Sequence, residues 1–336
     1  MRALSRIGLD PFMLTIMAAA VVGTVLPVTG TGANIMEWAT TVVIALLFFL
    51  YGARLSPAET LTGLKHWRLH LTILGFTYLL LPLLGLGTAA LVGGWLNPVL
   101  VTGLVYLTLV PSTVQSSIAF TAIARGNVPG AVVSASASNI LGVFLTPALC
   151  WLLLSGRVAF TAQALVDILL QLLLPFVLGQ LSRPLTARFV TSHPQLKLVD
   201  RGSIVLVVYA AFAAGQREGM WTQVTPAEIA ILTAVCLVLL AAGLVITWWV
   251  ARRLGFDTED AIAIQFCGTK KSLASGLPMA TVLFAGSPIG LLMLPLMVFH
   301  QAQLMACASL AERYGRRPQP AGPVLEPSDR QRAAGG

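Results

Sequence analysis

The sequence predicts an all-α integral membrane protein of about ten transmembrane helices, built as two inverted five-helix repeats with broken, crossing helices four and nine. Three observations carry this. The 336-residue chain is 57% hydrophobic and only 10% charged, with a mean hydropathy of +0.84, so a bilayer is its evident solvent. Its lysines and arginines alternate from loop to loop, as positive-inside topology requires. Two apolar spans, five apart in order, are interrupted by polar residues.

Taken in order, the spans fall at residues 11–26, 35–51, 69–92, 98–124, 129–154, 166–181, 203–216, 226–250, 258–284 and 288–311, judged against the roughly 20 apolar residues that cross the hydrocarbon. The seventh is the weakest, because its apolar part, 204–214, is short for a full crossing. Alternate segments from the N-terminus hold Arg2 and Arg6; Arg54, Lys65 and Arg68; Arg125; Arg183, Arg188, Lys197 and Arg201; Arg252 and Arg253; and Arg313, Arg316, Arg317, Arg330 and Arg332. The opposite loops hold only Arg157 and Arg217. Both termini are therefore expected in the cytoplasm, in a multi-pass protein of the cell (inner) membrane. All seven tryptophans sit at or beside a span end, where an amphipathic ring suits the headgroup region. The net charge of +8 reads as this asymmetry; no basic run carries interleaved aromatics, so the expected surroundings are lipid and not nucleic acid.

Residues 9–181 form the first expected repeat, 182–202 a cytoplasmic connector, and 203–311 the second repeat. An odd number of spans in each half makes the halves inverted. Residues 312–336 are rich in Pro, Arg, Gly and Ser, which cannot bury enough surface to offset ordering entropy, and are expected to be disordered. The basic start and Ala18-Ala19-Ala20 imitate a signal peptide, but removing the first span would break the charge alternation. Cys150, Cys236, Cys267 and Cys307 lie isolated in apolar sequence, without metal-ligand spacing or a disulfide framework.

Interrupted spans in corresponding positions of two repeats point to a binding site. Span four breaks at Pro111-Ser112-Thr113-Val114-Gln115-Ser116-Ser117 and span nine at Cys267-Gly268-Thr269-Lys270-Lys271-Ser272. Pro111 removes an amide donor and Gly268 loosens the backbone, so each break frees polar groups that need protein, water or ligand partners. The candidate binding residues are Thr113, Gln115, Ser116 and Ser117 from span four and Gln265, Thr269, Lys270, Lys271 and Ser272 from span nine. Span five adds Asn139, because an amide is costlier to bury unpaired than a hydroxyl. Span ten adds His300 and Gln301, with His300 readable either as a core histidine or as a proton carrier.

The lysine pair has two readings: a short cytoplasmic loop between hairpin segments, or the C-terminal end of a half-helix inside the membrane. The second suits Asp257, Glu259 and Asp260, which favour a helix N-terminus at the cytoplasmic face, and leaves the lysines where the helix dipole favours a cation. An ammonium there does what a bound sodium ion would do. Mid-membrane lysine costs roughly 2.5–3.5 kcal/mol on insertion scales and is by default a functional site.

Pro111 to Ala119, Ala124-Arg125-Gly126-Asn127, Leu174-Pro175-Phe176-Val177-Leu178-Gly179 and Gly268 to Ser272 together resemble the bile acid:sodium symporter family, and more closely its divergent SBF-like branch, which includes the seventh member of the human bile-acid carrier family. The resemblance covers about residues 9–311 and implies a core domain of crossed broken helices moving against a panel domain. The family's sodium ligands fall here on Ser116, Ser117, Ala131, Ala135, Thr77, Phe266 and Lys270, so the resemblance carries over without the family's carboxylate. Sodium coupling is therefore not expected, proton coupling stays open, and no cofactor or metal is expected. The function implied is a secondary transporter moving a small organic anion by alternating access. The alternative is a non-transporting membrane regulator whose lysines bind a lipid headgroup or partner protein. No nucleophile–base, paired-carboxylate or P-loop pattern lies in the spans, so no enzyme is expected.

Overall fold

The computed structural model describes residues 11–54, 66–154, 169–193 and 195–317. Of the expected disordered tail, 312–336, residues 318–336 lie outside them, and 312–315 are helical, continuing the last apolar helix. The described residues form helices α1 (Pro11–Val25), α2 (Thr31–Arg54), α3 (Trp67–Val92), α4 (Pro98–Leu109), α5 (Gln115–Ile123), α6 (Val128–Leu154), α7 (Leu174–Ser192), α8 (Leu196–Arg217), α9 (Pro226–Arg253), α10 (Thr258–Thr269), α11 (Leu273–Leu283) and α12 (Ile289–Gly315). Of these, α2, α3, α6, α9 and α12 are long and apolar enough to cross a membrane, with shorter apolar helices at Leu14–Val25 and Pro98–Leu109. Helices occupy the described part of every expected span, and spans four and nine are each two half-helices.

Prolines shape two of the longer helices. Phe76–Leu80 within α3 and Leu169–Leu173 before α7 are π-helical turns, and each is followed by a Leu-Pro pair, Leu81-Pro82 and Leu174-Pro175. A proline cannot donate to the turn below, and widening that turn relieves the clash with its ring. The start of α4 is set by Asn97, whose side chain accepts from the Val99 amide at 2.9 Å. Helix α9 opens on a capping box of Thr225 and Glu228. Glu228 also accepts from the Asn97 amide at 2.7 Å, tying the two helix starts together. At the other end of the bundle, Asp257 caps α10, and the Asn127 amide side chain donates to Asp260 at 2.6 Å.

The expected connector, 182–202, is mostly helical: α7 runs to Ser192 and α8 starts at Leu196. Hydropathy marks where hydrocarbon ends, and a helix has no need to stop there. The same extension gives the weak seventh span a helix of 22 residues.

Helix α1 packs on α8 and α2 on α7; α4 packs on α3 and α12; α10 packs on α9 and α6. The α2–α7 pair is close because Gly52 and Gly179 face each other's backbones, so that a Cβ on Gly179 would strike the Phe49 carbonyl and one on Gly52 the Phe176 carbonyl. Gly179→Ala should therefore destabilise the protein by about 1–3 kcal/mol, while Gly87→Ala, whose Cβ would meet nothing within 4 Å, should be neutral or stabilising. Thermal denaturation of the purified protein in detergent compares the two; equal midpoints would mean that the α2–α7 pair yields without cost.

Candidate functional site

The two breaks meet. The Ser272 amide donates to the Pro111 carbonyl at 2.8 Å, so the irregular segment between α4 and α5 is hydrogen-bonded to that between α10 and α11. Each break leaves carbonyls with no helical donor, and a buried carbonyl without a partner is costly. Their accounts close one by one across the first break. Thr108 O and Val110 O accept from Lys271 Nζ at 2.6 and 2.9 Å. Leu109 O accepts from Thr146 Oγ1 at 2.9 Å, Pro111 O from Ser272 N, and Ser112 O from Asn139 Nδ2 at 2.7 Å.

Lys271 makes a third bond, to Thr77 O at 2.7 Å. This carbonyl is free for a reason visible in the sequence. The Leu81 amide reaches back to Phe76 O in the π turn, and Pro82 has no amide to offer, so Thr77 O loses its helical donor. Three backbone carbonyls, two of them at the C-terminal end of α4, thus converge on one ammonium, where the helix dipole also favours positive charge. Lys271 is 0% exposed and all three of its protons are used.

Lys270 is equally buried, yet its Nζ has no hydrogen-bond partner among the described residues. It stands 3.7 Å from the centroid of the Phe120 ring, a cation–π position. The lysines diverge because α10 ends at Thr269 and Lys270 is extended (φ −73°, ψ 147°), which turns neighbouring side chains to opposite sides. The reading of the pair as a surface loop is not what is found.

The remaining candidates of spans four, five and nine divide into three groups. Asn139 and Ser272 join the crossing directly: besides holding Ser112 O, Asn139 accepts from Ser275 Oγ at 2.8 Å, and Ser272 caps α11 through the Ser275 amide at 3.2 Å. Thr113, Ser116 and Ser117 form a hydroxyl cluster at 2.9–3.2 Å, and Thr269 pairs with Thr247 at 3.1 Å. Gln115 stands exposed at the start of α5, and Gln265 donates to Leu244 O at 2.9 Å, both away from the crossing's bonds.

His300 lies 3.0 Å from the Lys271 carbonyl, but its partner on α12 is Gln303 and not Gln301. Gln303 accepts from the Lys271 amide at 2.9 Å and donates to its carbonyl at 2.7 Å. The Gln301 amide is buried with neither end partnered among the described residues. Helical spacing could have found this, since positions 300 and 303 share a face that 301 does not. Tyr78, whose hydroxyl donates to Ser138 O at 2.6 Å, and Thr146 were also missed; only the fold brings them to the break.

A crevice of about 200 Å³ lies between α2, α8 and the end of α11, lined by Glu37, Thr40, Gln171, Arg217, Glu218 and Thr281 among others and by no residue of the two breaks. Glu37 is nearly two turns into α2, since that helix starts at Thr31, ahead of the expected 35.

The family model described as SBF-like CPA transporters matches residues 10–316. The chain belongs to that family. Among relatives of this SBF-like chain, "Uncharacterized protein PA2026" of Pseudomonas aeruginosa is 50% identical over 94% of this chain and 96% of its own length. "Putative symporter YfeH" of Escherichia coli is 46% identical over 92% and 94%. Sodium/bile acid cotransporter 7 of Rattus norvegicus is 29% identical over 91% and 92%. The SBF-like protein is thus a membrane protein of the bile acid:sodium symporter type, and the latter two relatives carry the names of transporters, not enzymes.

Proposed function

We propose that this protein is a secondary carrier that moves a small organic anion by alternating access, with a lysine in place of a coupled sodium ion. The observation that carries the reading is the division of labour between the two lysines. Lys271 is bound by three carbonyls as a monovalent cation would be, and Lys270 is a buried amine whose hydrogen bonds are left for a ligand. A lysine amine inside a membrane protein, with no anionic partner among the described residues, is an attractive seat for a carboxylate or similar group. A sodium ion has no place beside the ammonium that already occupies the carbonyls.

The ten-crossing inverted repeat belongs to this reading, and the packing supports it. Exchanging each span with the one five later turns the α1–α8 contact into α7–α2, the α3–α4 contact into α9–α10, and the α4–α12 contact into α10–α6. The same exchange pairs the break in span four with that in span nine. With the termini in the cytoplasm of an inner-membrane protein, as the loop charges suggest, the crevice beside Glu37 and Arg217 lies towards the outer side.

The test is thermal stability of the detergent-purified protein with a panel of organic anions, each with and without sodium. A ligand of the folded state raises stability by about RT ln(1 + [L]/Kd). Stabilisation that is indifferent to sodium and lost in Lys270→Gln is expected. Stabilisation only when sodium is present would overturn the reading.

A further inference from the structure

Lys270 has a second property that follows from its surroundings. Its ammonium lies against Phe120 of α5, with the thiols of Cys267 from its own helix and Cys307 from α12 as the ionisable groups that face it. Helix α5 contributes the Phe120 ring and no charge. Lys271 is committed to carbonyls on the other side, and His300 and Gln303 are held at the Lys271 backbone. No described carboxylate is paired with Lys270; Glu37 lines the crevice and Asp260 is bonded to Asn127.

A charged amine with no acceptor, in a place that excludes water, bears a desolvation cost that one aromatic face only partly offsets. A neutral amine avoids that cost. An anion arriving beside it restores the reason to be charged, so proton and anion binding favour each other, each by the same factor.

We propose that Lys270 is the proton carrier of the transport cycle, neutral in the empty protein and protonated with the anion bound. This rests on the anion reading above. In the loading step one proton from the open side adds to the amine lone pair as the anion binds, giving an ammonium–anion pair; in the release step the N–H bond breaks and the proton leaves with the anion. For a monovalent anion the cycle moves no net charge, and it needs no membrane-embedded acid.

The experiment uses the full chain in detergent with benzoate and cholate as probe anions. Bound anion and proton uptake are measured together in weak buffer from pH 6 to 9, for the natural protein, Lys270→Gln and Lys270→Arg. On the alkaline side about one proton per anion is expected, with affinity falling about tenfold per pH unit, and uptake should vanish where affinity becomes independent of pH. Lys270→Gln should do neither. Lys270→Arg, whose guanidinium stays charged, should bind anion with no proton uptake and no pH dependence over this range. Sodium-independent binding through Lys270 without proton uptake would overturn the proton role and leave the anion reading standing. A ligand-free measurement guards against a wrong choice of probe. The thermal midpoint of Lys270→Met should gain on the natural protein as pH falls from 9 to 6, because only the lysine then has to bury a new charge. A constant difference between the two would also overturn the proposal.

Discussion

Lys271→Met should cost the protein on the order of 3–5 kcal/mol, the largest loss expected from any single side chain at the crossing. Methionine fills much the same volume, so the loss comes from Thr77 O, Thr108 O and Val110 O, which become buried acceptors without donors. Arginine should not rescue the site, since its planar fork cannot reach three carbonyls that converge on a point. Lys271→Ala should be partly restored by methylammonium, which can re-enter the space as a free cation. Lys270→Met, which leaves no acceptor orphaned, should cost much less at neutral pH. Denaturation midpoints of the four variants in detergent decide the matter, and a loss below about 1 kcal/mol at Lys271 would mean that water reaches those carbonyls.

Asn139→Leu should cost about 2–4 kcal/mol, because one amide serves both breaks. It donates to Ser112 O and Ala135 O, at 2.7 and 3.1 Å, and accepts from Ser275 Oγ on α11 at 2.8 Å. Asn139→Asp should be at least as damaging despite its similar shape. A carboxylate still accepts from Ser275 but meets the Ser112 carbonyl acceptor to acceptor. An aspartate variant as stable as the natural protein would show that the amide's donor side is dispensable. Neither variant touches Lys270, so retained anion stabilisation in whatever folded fraction remains would separate the scaffold's role from binding.

Much of this was legible in the chain. Pro111 and the Gly268-Thr269-Lys270-Lys271-Ser272 run announced the two breaks, because proline and charge inside apolar sequence have few benign explanations. Asn139 was legible for the same reason: a lone amide in a span must be partnered. The roles of the two lysines were not legible. A helical reading of residues 270 and 271 sets them about 100° apart, whereas the extended backbone after Thr269 sends them to opposite sides. Gln301 was preferred to Gln303 although the spacing from His300 favours the latter. That the connector at 182–202 is mostly helical was not legible, because hydropathy reports the solvent of a segment and not its hydrogen bonding.

What the sequence by itself determined is the chain's solvent, the helices and their two interruptions, since these depend on local composition and on donors that proline removes. Which group answers each freed carbonyl was decided only by the tertiary structure. Thr77, Val110, Lys271 and Gln303 are far apart along the chain, and no periodicity relates them. A carbonyl freed at one break can be met by any donor that packing brings within reach, so the choice of Lys271 for that task, and the release of Lys270 from it, is a property of the folded crossing.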